Sequence, residues 1–128
     1  MEKILITGAS GFIGSFLVEH ALQEGMEVWA AVRKSSSRRY LQDPRIHFLT
    51  LDFSNLSVLT TQLETHRKEN GSFAHVIHAA GATKCRHPQQ FFSVNAEGTK
   101  FLAEALVLTG ALAADGRFVF ISSLSVMG

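Results

Sequence analysis

Short apolar runs alternate along the chain with longer segments of helical periodicity. The runs predict five strands, at residues 4–6, 28–32, 46–51, 74–78 and 118–121. The first run, Ile-Leu-Ile, contains no polar position, which is typical of a strand that is covered on both faces. Alternation of strands with helices favours βα units that build a parallel sheet.

Three segments have apolar residues at the three- and four-residue intervals of an amphipathic helix. The first segment steps from Ile13 to Ala21, and the second closes at Gly71. The third follows Pro88, a residue favoured in the first helical turn, and runs through Ala105. Joined by right-handed crossovers, these elements predict a doubly wound α/β sheet with the strand order 3-2-1-4-5.

Composition restricts the class of protein. A chain of 128 residues, 46% hydrophobic and 18% charged, is long enough for one domain with its own core. A net charge of +1 gives no electrostatic reason to expect nucleic acid or an anionic membrane as a partner. No apolar stretch approaches the roughly 18 residues of a membrane helix. The single cysteine, Cys85, cannot form an internal disulfide, so we expect a cytoplasmic protein.

The chain stops at Gly128, shortly after the fifth predicted strand. A parallel sheet is normally covered on both faces, and no helical segment follows this strand. We therefore expect the chain to be truncated after the fifth strand, as the amino-terminal part of a longer protein. A naturally short five-stranded domain is the alternative.

The segment from Thr7 to Gly14 has the strongest chemical signature. It follows a predicted strand and opens a predicted helix, which is the context of a dinucleotide-binding loop. Gly8 permits a tight turn, Gly11 allows the backbone to approach a pyrophosphate, and Gly14 allows the helix to pack close to the strand. Backbone N–H groups at the helix start would then face the phosphates. A tight turn without a ligand is the alternative.

The spacing Thr-Gly-x-x-Gly-x-x-Gly resembles the short-chain dehydrogenase/reductase superfamily, in its extended, epimerase/dehydratase-like branch. The resemblance covers essentially the whole chain, because four further segments are similar to motifs of the same family. They are Asp52-Phe53, His78-Ala79-Ala80-Gly81, Val-Asn-Ala-Glu-Gly-Thr at residues 94–99, and Ile-Ser-Ser-Leu-Ser-Val-Met-Gly at residues 121–128. Within the last segment, Met127 stands where many members of the family have tyrosine.

The resemblance implies a Rossmann domain over residues 1–128 that binds NAD(P). It also implies a site in which the glycine-rich segment is joined by residues that follow later strands. The cofactor-binding residues it implies are Thr7, Gly8, Ser10, Gly11, Phe12, Ile13, Gly14, Asp52, Phe53, Ala79, Ala80, Gly81 and Asn95. Asp52 matches the family's adenine-contacting acid, with the alternative that it only precedes a helix cap formed by Ser54 and Asn55.

The resemblance places only part of the catalytic machinery within the chain. In the family, the tyrosine of a Tyr-x-x-x-Lys pair transfers the proton, and a serine orients the reacting carbonyl or alcohol. That serine corresponds to Ser123, with a hydroxyl that merely satisfies backbone at a strand end as the alternative. The pair would lie beyond Gly128, and the carboxy-terminal substrate domain of this branch is absent. We therefore expect the chain alone to bind cofactor without turnover.

The end of the second strand indicates the preferred cofactor. NAD sites place an acid about 20 residues beyond the glycines, where it binds the ribose 2′-hydroxyl. Val32-Arg33-Lys34 occupies this place, and an arginine such as Arg33 is suited to a 2′-phosphate. We therefore expect NADP to be favoured over NAD, with a solvated loop arginine as the alternative.

These observations predict an NAD(P)-dependent oxidoreductase or nucleotide-sugar epimerase/dehydratase that acts on a small molecule. A reductase of the dihydroflavonol or 3β-hydroxysteroid type is favoured. A non-catalytic, NADP-sensing member of the family is the alternative, and the segments around Asn95 and Ser123 argue against a nucleotide-sensing domain of ion-transport regulators. No zinc spacing occurs among the six histidines and Cys85, so we expect no metal site. The oligomeric state stays open, a homo-oligomer included.

Overall fold

The computed structural model describes residues 2–8, 12–32, 43–52, 55–79 and 88–120. Strands and helices alternate within these ranges, except that no described helix joins the second and third strands. The elements are β1 (Lys3–Thr7), α1 (Phe12–Gln23), β2 (Glu27–Val32), β3 (His47–Thr50), α2 (Leu56–Asn70), β4 (Phe73–His78), α3 (Pro88–Thr109) and β5 (Leu112–Phe120).

The strands form one parallel sheet in the order β3-β2-β1-β4-β5, which confirms the predicted order. The direction of winding reverses at β1, with β2 and β3 on one side and β4 and β5 on the other. At the carboxyl end of β1, Thr7 pairs with Ala31 of β2 and with His78 of β4. Doubly wound sheets bind ligands at the carboxyl edge beside this reversal. We therefore expect a ligand at this edge, in the crevice beyond the carboxyl ends of β1 and β4.

Side chains of the central strand alternate between two faces, and each face has its own helices. Ile4 and Ile6 pack with Val18 and Leu22 of α1 in one hydrophobic cluster. Leu5 belongs to a second cluster, with leucines of α2 and α3 at positions 59, 63, 102 and 106. The fold therefore has three layers, with α1 on one side of the sheet and α2 and α3 on the other.

The two ends of α2 lie where the sequence indicates. Asn55 has an extended backbone, and its side-chain Oδ1 accepts the Val58 N–H at 3.1 Å, as in a helix N-cap. At the other end, the Gly71 N–H donates to the Arg67 carbonyl oxygen at 2.8 Å. Gly71 has a φ of +90°, a backbone conformation that residues with a Cβ rarely adopt. Local signals thus fix both ends of this helix.

The last strand is longer than the sequence pattern predicts, because β5 begins at Leu112 and not at residue 118. While β4 advances from Phe73 to His75, β5 advances from Leu112 to Arg117, so its extra residues form a bulge. Gly116 lies in the bulge, where a Cβ would stand 2.7 Å from the Leu112 Cδ1 atom and 3.0 Å from a β4 carbonyl oxygen. The predicted start at residue 118 was wrong, because the bulge admits polar and glycine residues that a regular strand disfavours.

One face of β5 is open within the part of the chain that the structure describes. Val119 points to the same side of the sheet as Ile77, which packs against the α1 cluster. Val119 is 46% exposed, and none of the described helices covers it. This agrees with the expectation that one apolar face of the fifth strand is partly uncovered.

Candidate functional site

The turn after β1 has the backbone conformation that a glycine-rich loop requires. Gly8 follows the strand with a φ of +66°, in the left-handed region that favours glycine. α1 begins at Phe12, and Gly14 is buried in its first turn. The first N–H groups of a helix have no partner within the helix. Gly8 and the start of α1 therefore have features that are typical of an anion-binding site.

The end of β4 is bonded to the end of β1 beside this turn. The Thr7 Oγ1 and His78 Nδ1 atoms are 2.7 Å apart, and the two residues are 0% and 2% exposed. The Ala79 N–H donates to the Thr7 carbonyl oxygen at 3.3 Å. A side-chain bond and a backbone bond thus join the two strands at the point where the chain leaves each of them.

His78 is neutral at neutral pH. Burial lowers its pKa to about 4, because water no longer solvates the charged form of the ring. Its ring centroid lies 6.4 Å from that of Phe118 on β5, with 29° between the planes. His75 bonds elsewhere, since its Nε2 atom lies 2.8 Å from the Glu2 Oε2 atom. The two histidines of β4 therefore have separate partners.

Asp52 lies beyond the carboxyl end of β3, at the same edge of the sheet. Its backbone N–H donates to the Gln62 Oε1 atom of α2 at 2.9 Å, which ties this segment to the helix. The residue is half-buried. Asn55 is the N-cap of α2, as in the alternative interpretation in which Asp52 only precedes this cap. The structure therefore holds an acid on the β3 side of the crevice.

Comparison with known proteins identifies the family to which this geometry belongs. The sequence matches the model of the NAD dependent epimerase/dehydratase family over residues 4–128. The chain belongs to this family. Solved structures agree, since a UDP-glucose 4-epimerase of Thermus thermophilus, in complex with NAD, has a TM-score of 0.66 and 28% identity. That similarity covers 85% of this chain and 35% of the epimerase chain.

Curated members of the family include reductases that are similar to this chain. It is 34% identical to a ceramide reductase of Caulobacter vibrioides, over 95% of this chain and 35% of that protein. It is 32% identical to a dihydroflavonol 4-reductase of Arabidopsis thaliana, over 95% of this chain and 32% of that protein. The chain therefore spans about a third of the length of these relatives.

The described part of the chain contains several of the site residues that the family motifs imply. Thr7, Gly8 and Ala79 meet where the sheet reverses, and Asp52 lies at the same edge beyond β3. Other predicted residues lie outside the described ranges: Ser10, Gly11, Arg33, Phe53, Ala80, Gly81 and Ser123. The backbones of Phe12, Ile13 and Asn95 lie in described helices, but their side chains are outside the description.

The sequence analysis missed one buried histidine, His66 of α2. It is 3% exposed and stacks on Phe73, with ring centroids 4.6 Å apart, while Trp29 meets it edge-on at 4.5 Å. Its Nε2 atom has no hydrogen-bond partner within the described residues. The signal was present, since Leu59, Leu63 and His66 follow one another at helical intervals. Phe73 begins β4, so this cluster lies away from the crevice.

The described residues contain no group of three or more His, Cys, Asp or Glu side chains that is suited to a metal ion. None of their helices is long and apolar enough to cross a membrane.

Proposed function

We propose that this chain is the cofactor-binding part of an NAD(P)-dependent oxidoreductase or epimerase/dehydratase that acts on a small molecule. The proposal rests on Gly8, which follows β1 with a positive φ, and on the pairing of β1 with β4 at the reversal of the sheet. Dinucleotides bind at this point in doubly wound sheets. The ceramide and dihydroflavonol reductases among the relatives favour a reductase.

The described residues fit a dinucleotide. Gly8 has the positive φ of a tight glycine turn, and a pyrophosphate at the start of α1 would meet N–H groups that have no partner within the helix. Asp52 offers a carboxylate on the β3 side, where we assign it to the adenine end of the cofactor. When bound, the cofactor supplies hydride exchange at its nicotinamide C4.

We assign the other steps to the residues that the family motifs imply. Ser123 orients the reacting carbonyl or alcohol, and the whole protein supplies the Tyr-x-x-x-Lys pair that transfers the proton. Because the chain corresponds to about a third of its curated relatives, turnover and substrate choice belong to the whole protein in this proposal.

The proposal includes a preference for NADP. Arg33 follows β2 at the place where an NAD site has an acid, and no acid follows until Asp43. A guanidinium forms charge-assisted hydrogen bonds with phosphate, whereas a carboxylate there would repel it.

The variant Gly11→Val tests whether the glycine-rich segment is the phosphate site. A branched side chain at this position would push the pyrophosphate away from the start of α1. We expect the variant to lose measurable binding of both NAD and NADP in calorimetric titration, while its circular-dichroism spectrum stays that of the folded chain.

Gly25→Ala, at the other end of α1, is the matched control. Gly25 has a φ of +79° with nothing within 4 Å of an added Cβ, so alanine there adds strain without touching the crevice. That strain costs about 1–2 kcal/mol of folding stability, and dinucleotide affinity should stay at the wild-type value. Retention of wild-type affinity by Gly11→Val would show that the phosphates bind elsewhere.

A further inference from the structure

A side chain of α2 bonds to the backbone of Asp52, at the edge of the sheet where we propose that a dinucleotide binds. The register between β2 and β3 ends with the pair of Val32 and Thr50, so Asp52 lies two residues beyond the described strand pairing. Its backbone N–H donates to the Gln62 Oε1 atom at 2.9 Å. Gln62 therefore holds the chain at a point that the strand ladder no longer reaches.

The turn of α2 that contains Gln62 is fixed by the core. Leu59 and Leu63 are 0% exposed, and both pack in one hydrophobic cluster with Leu51, which is 4% exposed. Gln62 comes three residues after Leu59 and directly before Leu63. Because interior side chains are close-packed, the backbone of this turn has little freedom to move relative to Leu51. The same packing therefore places the Gln62 side chain and the residue that precedes Asp52.

The amide of Gln62 is suited to a place beside an acid. Its oxygen accepts a hydrogen bond and is uncharged, so it can hold the Asp52 N–H without repelling the Asp52 carboxylate. Both residues are half-buried. Asp52 also takes part in other interactions, so loss of the Gln62 oxygen would loosen its backbone without freeing it. A change at Gln62 should therefore alter the position of the carboxylate and leave the fold in place.

We propose that Gln62 is a positioning residue, which through its bond to the Asp52 N–H directs the Asp52 carboxylate to the 6-amino group of the cofactor's adenine. This inference rests on the proposed cofactor-binding function and on the assignment of Asp52 to the adenine end. The 6-amino group donates hydrogen bonds, and an ionised carboxylate only accepts them. Gln62 acts through the backbone and does not itself contact the cofactor.

Nicotinamide hypoxanthine dinucleotide separates a positioning role from a purely structural one. It differs from NAD only in the base, where a carbonyl oxygen replaces the 6-amino group and offers the carboxylate no donor at that position. Calorimetric titration of the wild-type chain should show NAD bound about tenfold more tightly than this analogue, the equivalent of one hydrogen bond to a charged group.

Two variants remove the bond to the Asp52 N–H. Gln62→Met keeps the length of the side chain and removes the amide oxygen, whereas Gln62→Asn keeps an amide that is shorter by one methylene group. Each should bind NAD about fivefold more weakly with little change for the analogue, so that the preference for NAD falls to about twofold. Circular dichroism shows which variants fold, and the preference measured in either folded variant decides the test.

Gln23→Met is the matched control, because it makes the same replacement at an exposed position at the end of α1, and it should keep the wild-type affinities. If a folded Gln62 variant keeps the wild-type preference for NAD, Gln62 has no positioning role and the inference is wrong, while the proposed function stands. If the wild type binds NAD and the analogue equally, the inference fails at Asp52 and cofactor binding stands. If the wild type binds neither NAD nor NADP, both proposals fail.

Discussion

Gly8 and His78 depend on different physical constraints at the same edge of the sheet. Gly8 has a φ of +66°, a backbone conformation that is strained for residues with a Cβ. His78 is held neutral by burial, with a pKa of about 4, so its bond to Thr7 joins two uncharged groups. The conformation of Gly8 is determined by a few neighbouring residues. The burial of His78 and its bond to Thr7 arise only when β1 and β4 pair.

At the scale of single residues, Arg33 should determine the choice of cofactor. Arg33→Ala removes a charge-assisted hydrogen bond to the 2′-phosphate, and we expect it to weaken NADP binding by about 1.5–3 kcal/mol. NAD lacks this phosphate, so its affinity should change little. Titration of both cofactors against wild type and variant measures the difference.

Arg45→Ala is the control for the loss of a positive charge. Arg45 is exposed and pairs with Asp43, with 2.8 Å between Nη2 and Oδ2, just before β3 begins. Its removal should leave the ratio of NADP to NAD affinity unchanged. Equal affinities for the two cofactors in the wild type would contradict the assignment of Arg33.

The sequence predicted the glycines at turns and helix ends better than it predicted the polar contacts. Gly8 and Gly71 were predictable because turns and helix ends are local, and the structure gives both a positive φ. The bond between Thr7 and His78 joins residues 71 positions apart. The predicted strand order makes β1 and β4 neighbours, but the bond also depends on the register between them, and neither motif contains that information. Sequence motifs therefore predicted the segments but not the contact between them.

At the scale of elements, the bounds of α2 were predictable from local sequence signals, whereas the start of β5 was not. Capping residues fix the ends of α2, so its bounds follow from sequence. β5 contains a bulge with Gly116, where regular strand periodicity is interrupted, and its first half was missed. His66 was missed for another reason, since its burial depends on Trp29 and Phe73 from two strands under the helix.

Protonation of His66 should weaken the packing of α2 on the sheet. Its pKa is lowered, mainly by burial and then by the charge of Lys3, with opposing effects of Glu27 and Glu69. The unfolded chain therefore binds more protons than the folded one below the ordinary histidine pKa of about 6.5, and stability falls as the pH drops through that value. We expect His66→Phe to reduce this slope by up to about 1.4 kcal/mol per pH unit, the limit for one proton.

Urea unfolding between pH 7.5 and 5 measures the effect. His78 contributes in the same direction, because its folded pKa of about 4 is also below the ordinary value, so part of the slope should remain in His66→Phe. His20→Phe is the control, since the His20 side chain is 72% exposed. A slope in His66→Phe equal to that of the wild type would show that the buried ring does not resist protonation.

At the scale of the whole molecule, the sheet combines the edge that we propose binds a dinucleotide with an open face on its last strand. The chain spans about a third of its curated reductase relatives, and the exposed Val119 lies on the face of β5 that no described helix covers.

We expect this chain alone to show no reductase, dehydrogenase or epimerase turnover. Positioned proton transfer contributes on the order of 10²–10⁴ in rate, and the chain contains no Tyr-x-x-x-Lys pair. Its single tyrosine, Tyr40, has Pro44 four positions later, where the motif requires lysine. A nicotinamide absorbance assay over a panel of carbonyls and alcohols tests this expectation. Cofactor-dependent turnover by the purified chain would mean that other residues transfer the proton.

The central claim is that this chain binds a dinucleotide at the crevice between β1 and β4. Calorimetric titration of the wild-type chain with NADP and with NAD tests it most directly, with thermal unfolding as a second readout. We predict one saturable site per chain, tighter binding of NADP, and a rise in melting temperature, since a ligand at a hundred times its Kd stabilises the folded state by about 2.7 kcal/mol. Absence of binding heat and of any thermal shift with both dinucleotides at millimolar concentration would contradict the claim.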